Sequence, residues 1–152
     1  MRRKDKEITD KAAIDGIIES ALVCHLAVCD GGVPYVVPLC FGYDGRRLYL
    51  HSAPEGRKID LIRKNPKVCF GVESTCEVVP SDRACSFTMR YESVVGKGTA
   101  RIVTDEAEKR RALEVITGRY AHEATPLPEG ATGKVTVIAV EIEELTGKRS
   151  GY

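Results

Sequence analysis

Leu48-Tyr49-Leu50-His51-Ser52-Ala53-Pro54-Glu55-Gly56-Arg57-Lys58-Ile59-Asp60-Leu61-Ile62-Arg63-Lys64-Asn65-Pro66 runs from a strand into a helix through polar, bendable residues. Leu48 to Leu50 is apolar and aromatic, as a buried strand is; Ile59, Leu61 and Ile62 then return at helical spacing until Asn65-Pro66 stops the helix. Between them stand one hydroxyl, one glycine and two cations. Gly56 permits tight backbone geometry, the first helical N–H groups lack internal partners, and Arg57 with Lys58 add positive charge at that end. An anion suits such a corner, although a Gly followed by two basic residues is also how many solvated helices begin. The glycine spacing fits neither G-x-x-x-x-G-K-[ST] nor G-x-G-x-x-G, so the two common nucleotide-phosphate loops are absent.

Upstream, Asp44-Gly45 marks a hairpin into this strand, and Asp30-Gly31-Gly32 marks another between Leu22–Cys29 and Val33–Tyr43. The alternation of Leu22, Cys24, Leu26 and Val28 with Val23, His25, Ala27 and Cys29 predicts a strand buried on both faces. Pro34 and Pro38 donate no ladder bond, so residues 33–43 read as an interrupted or edge strand whose neighbouring backbone is free for a ligand, or as one carrying an ordinary bulge. Before it, Thr9-Asp10 caps a helix with Ile14, Ile17, Ile18 and Ala21 on one stripe; residues 1–8 are expected to be flexible or draped over a partner.

Downstream, Lys67–Glu73 reads as a strand and residues 74–85 as a polar loop of the kind that covers a site. Phe87–Val103 is too long for one flat strand, and Gly96 and Gly98 divide it as a bulge or barrel bend would. Leu113, Ile116 and Tyr120 give a last helix its stripe, residues 121–133 form a loop in which His122 has no assigned role, and Val135–Leu145 is a final strand followed by a Thr146–Arg149 tail. About six hairpin-linked strands with peripheral helices fit a small closed antiparallel barrel. Strands apolar on both faces fit a barrel covered by helices or by a second copy.

The 152 residues suit one domain, 1–152, and 23 basic against 22 acidic side chains leave no field to gather nucleic acid or an anionic membrane. Six Tyr and three Phe are the only aromatics, which ranks a single-strand nucleic-acid barrel last. There is no run of about 18 apolar residues and no apolar signal core, so a soluble, cytoplasmic protein is expected. The six cysteines read mostly as reduced core thiols; no C-x-x-C pair occurs, and no metal is expected.

His51-Ser52-Ala53-Pro54-Glu55-Gly56-Arg57-Lys58, the Tyr-Val-Val-Pro-Leu run at 35–39 and Ser93-Val94-Val95-Gly96-Lys97-Gly98 together resemble the FMN-binding split-barrel, pyridoxamine 5'-phosphate oxidase-like superfamily, and within it the nitroimidazole-resistance branch. The resemblance implies a mainly β fold, a six-stranded antiparallel split barrel of Greek-key type with flanking helices, and a homodimer with flavin between subunits. It implies FMN phosphate on Arg57 and Lys58 with Ser52 beside it, the isoalloxazine ring along Val37, Pro38 and Leu39, and a polar contact from Ser93. His51 matches a histidine near the flavin that positions substrate or supplies a proton. The implied activity is reduction of a small electrophile such as a nitro-aromatic; the alternative is a flavin, haem or deazaflavin binding module without turnover. The chain has no Trp and lacks the C-terminal Trp and Arg set that true pyridoxamine-phosphate oxidases use, which argues against vitamin B6 oxidation.

Overall fold

Gly31 and Gly32 both take positive φ, 54° and 89°, which lets a two-residue turn set Asp30 directly opposite Val33. The computed structural model describes residues 3–121 and 126–152; His122 therefore lies outside the described residues. In chain order the elements are β1 (Glu7–Ile8), α1 (Lys11–Ser20), β2 (Cys24–Asp30), β3 (Val33–Leu39), β4 (Phe41–Tyr43), β5 (Arg47–Ser52), α2 (Arg57–Lys64), β6 (Lys67–Val79), β7 (Thr88–Ile102), α3 (Glu106–Tyr120) and β8 (Thr136–Ser150). Every strand pairing is antiparallel, and the order across the curled sheet is β3-β2-β6-β7-β8-β5-β4, with β1 beside β8.

The fold is the expected split barrel with flanking helices, but the described residues form eight strands rather than six. Residues 33–43 are not one strand. The chain breaks at Cys40, because β3 pairs with β2 whereas β4 pairs with β5 at the far end of the sheet. No ladder joins β3 to β4, so the barrel is split and not closed. The first half of the predicted cover loop at 74–85 is instead β6, which continues through a bulge at Glu73/Thr75 and stays zipped to β7 as far as Val79 opposite Thr88. The predicted tail at 146–149 belongs to β8, whose Gly147 and Lys148 pair with Ile8 and Glu7 and so hold the residues before α1 in the sheet.

β7 runs on through Gly96 and Gly98, and the bulge expected there is a register shift against β8 between Lys97 and Gly98. The two glycines admit close neighbours: a Cβ at 96 would collide with the Phe70 ring and one at 98 with the Glu141 carbonyl.

Inside the barrel, Leu26, Phe41, Leu48, Leu50, Phe70 and Val140 meet the apolar stripes of α1 and α2. Asp10, not Thr9, caps α1, its carboxylate accepting from the Ala13 N–H at 2.8 Å. A second cluster lies outside the sheet, where α3 sets Ala112, Leu113 and Ile116 on Tyr49, Val137 and Ala139. The end of α3 is latched. Arg119 donates to the Ile18 carbonyl at 2.7 Å and to that of Ala21, and stacks 4.1 Å over Phe41. The Tyr120 hydroxyl donates to the Leu22 carbonyl and accepts from the Phe41 N–H. These contacts tie the chain just after the Cys40 break to the end of α1 and the residues that lead into β2.

β2 is buried on one face only. Cys24, Leu26 and Val28 point inward, while His25 is exposed and Leu22, expected in the core, is 71% exposed. The expected core thiols are also mostly not core: among the six cysteines only Cys24 is buried, and Cys40, expected to pack as a small hydrophobe, is exposed. No helix among the described residues is long and apolar enough to cross a membrane.

Candidate functional site

The corner between β5 and α2 is built by Gly56, which as the N-cap takes φ 131° and ψ 163°, a conformation essentially restricted to glycine. No side chain caps the helix, so its first N–H groups remain available. Just before it, Ser52 is 6% exposed and its buried Oγ has no hydrogen-bond partner. Leaving a buried hydroxyl unsatisfied costs about 1–3 kcal/mol, a cost that a ligand oxygen would remove. Arg57 lies 4.8 Å over the Tyr35 ring of β3, and neither Arg57 nor Lys58 makes an ion pair among the described residues. Orphaned hydroxyl, uncapped helix start and two unneutralised cations thus share one corner, and that donor set fits a phosphate.

β3 is the end strand of the sheet, as its two prolines predict, so its outer backbone edge is unpaired. Tyr35, Val37 and Leu39 face inward against the core, whereas Val36 and Pro38 face outward. Within one chain the structure brings Arg57 to β3, over the Tyr35 ring, with Ser52 and Lys58 near it in sequence at the end of β5 and the start of α2. It does not bring Ser93 there. Ser93 sits on β7 opposite Glu73 and Lys148, three strand spacings from β3, or roughly 14 Å. It does share the outer face with Pro38, His25 and Val95. His25 is a surface residue on that face, its Nδ1 3.6 Å from the Glu73 carboxylate.

His51 alternates with Ser52 and so points to the opposite side of β5, under the end of α3. There it lines an apolar groove of about 510 Å³ with Cys40, Ile116, Tyr120 and Leu127. Sequence reading missed both this groove and Tyr35. The helical stripe that ends at Tyr120 was a signal for the groove, but nothing in the spacing says which strands α3 covers. Burial pushes the Cys24 thiol up to about 12, which keeps it protonated and inert at neutral pH.

The family model for pyridoxamine 5'-phosphate oxidase matches residues 10–149. The chain belongs to that family. A candidate 5-nitroimidazole antibiotic resistance protein from Bacteroides thetaiotaomicron is 38% identical, superimposes with a TM-score of 0.83, and is matched over 94% of this chain and 86% of its own. A flavocytochrome from Azotobacter vinelandii gives a TM-score of 0.85 at 22% identity, over 100% of this chain and 72% of that one. A FAD and haem binding protein from Mycobacterium smegmatis gives 0.85 at 20%, over 97% and 74%. At those identities the similarity is one of fold. An uncharacterized protein of Rhizobium meliloti is 38% identical over 65 residues, 43% of this chain; the match spans 42% of that protein's length. Membership in the pyridoxamine 5'-phosphate oxidase family accords with the split barrel.

Proposed function

We propose that the chain binds FMN at the Ser52–Lys58 corner, as a homodimer, and serves as a reductase for a small electrophile such as a nitro-aromatic. The observation that carries this reading is the buried, partnerless Ser52 Oγ beside an uncapped helix start with two free cations. Arg57 and Lys58 would hold the phosphate by charge-assisted hydrogen bonds and Ser52 would donate its hydroxyl proton to a phosphate oxygen. The free edge of β3 at Val37, Pro38 and Leu39 offers backbone groups and an aliphatic wall to a flat ring. Bound flavin supplies the electron transfer; the chain supplies placement, charge and exclusion of water. His51, which lines an apolar groove on the other side of β5 from Ser52, would orient an acceptor or hand it a proton there. Ser93, too far from its own β3, would reach the ring as the partner's Ser93.

The bare outer face supports the dimer: Val36 and Val95 are 55% and 50% exposed on it, and Leu22 and Val23, just before β2, are exposed as well. A two-fold partner seated on that face would cover the two outward valines.

An absorption spectrum of the purified protein, with mass analysis of what denaturation releases, tests the cofactor. Replacing Arg57 and Lys58 together by Ala should weaken FMN affinity by about 2–5 kcal/mol; unchanged affinity overturns the phosphate assignment. Reduction of a nitro compound by the flavin-loaded protein, lost in His51→Ala, supports the enzyme. A second reading, a binding module in which His51 ligates haem, draws on the apolar lining of the His51 groove; a haem spectrum on reconstitution, lost in His51→Ala, would favour it.

A further inference from the structure

We infer that Tyr35 is a positioning residue that makes the corner select a phosphorylated flavin over its unphosphorylated form. The inference rests on the FMN reading and adds to it a residue outside the Ser52–Lys58 segment. Arg57 opens α2 and is exposed. A long cationic side chain in that setting ordinarily ranges over many rotamers, and ordering it on a ligand costs affinity. Surface arginines are usually ordered by a carboxylate. Elsewhere in this chain Arg47 is held by Glu141, Arg90 by Glu77, Arg101 by Glu108 and Arg149 by Glu92.

Arg57 has no such partner among the described residues; the acid on its own helix, Asp60, faces Arg63 at 3.7 Å. What holds Arg57 is the face of the Tyr35 ring, 4.8 Å from the guanidinium carbon. The two supports differ in kind. A carboxylate would neutralise the cation and compete with an incoming phosphate, whereas the ring quadrupole attracts the guanidinium and leaves its charge and its N–H donors free. The ring is itself anchored, half-buried against the barrel core on the inward face of β3 and opposite Val28 in register. Tyr35 thereby links the free edge of β3 to the helix start across the split in the barrel. Lys58, one residue on, has no ring or acid of its own among the described residues.

The test is the ratio of FMN to riboflavin affinity, measured by fluorescence quenching on the full chain. Riboflavin lacks the phosphate, so damage to the barrel lowers both affinities and leaves the ratio alone. Tyr35→Leu should cut the ratio roughly two- to fivefold, and Tyr35→Phe, which keeps the ring face, should hold it near the unsubstituted value. An unsubstituted protein that prefers FMN, with an unaltered ratio in Tyr35→Leu, overturns the role of Tyr35 and leaves the FMN reading standing. An unsubstituted protein that binds both flavins equally overturns both.

Discussion

On the wall formed by β5 and β8, α3 lies over Tyr49, Val137 and Ala139 and leaves none of them more than 1% exposed; on the wall formed by β3, β2, β6 and β7, the outward Val36 and Val95 remain 55% and 50% exposed. Both walls belong to one sheet and both carry apolar residues outward. The difference is only in what covers them. A strand's own sequence states that a face is apolar, and the chain elsewhere decides whether it can cover that face itself. Here fifteen residues of α3 suffice for one wall, and nothing in the described residues covers the other.

Removing the cover should give the largest effect. Ile116→Ala, which opens the contact of α3 with β5 and β8, should cost about 2–5 kcal/mol in urea unfolding; a cost below 0.5 kcal/mol would mean that α3 adds little to that wall. On the bare wall, Val36→Lys with Val95→Lys should change the stability of the single chain by no more than about 0.5 kcal/mol each yet yield monomers in sedimentation, since a two-fold contact would set like charges against one another. A dimer that survives both changes would place the partner elsewhere.

The smallest effect should be acid dependence at the covered wall. Arg101 on β7 donates to the Glu108 carboxylate of α3 at 3.0 Å, and this hydrogen bond holds that carboxyl below its usual value. A depressed folded value means that the pair stabilises above the ordinary carboxylate pKa of about 4.3 and is lost as pH falls through the lower, folded one. Glu108→Gln should therefore cost about 0.5–1 kcal/mol at pH 7 and nothing at pH 2. An equal loss at both pH values would assign the effect to shape instead of charge.

The turns and the corner were legible in the sequence because single residues decide them: Gly31 and Gly32 accept positive φ, Gly56 takes a backbone shape open to little else, and two prolines confine β3 to an edge. The lengths of β6 and β8 were not, because Thr75–Val79 and Thr146–Ser150 are held by pairing with β7 and carry no apolar period, Gly147 and Ser150 being buried without apolar side chains. Residues 33–43 misled for a related reason: apolar character continues through Cys40 while the hydrogen-bonding partner changes. For the candidate site, Ser52, Arg57 and Lys58 are neighbours in sequence and meet in space. The distance of Ser93 from β3 depends on two intervening strands, β2 and β6, whose placement only the sheet order reveals.

The prolines of β3 also bear on self-association through the edge of the sheet. An unpaired outermost strand of seven residues, Val-Pro-Tyr-Val-Val-Pro-Leu, would otherwise be a template for a neighbouring molecule to extend the sheet into a fibre. With Pro34 and Pro38 the template is punctuated, because neither residue has an N–H to donate to a neighbouring backbone, and a second strand would zip along it only in pieces.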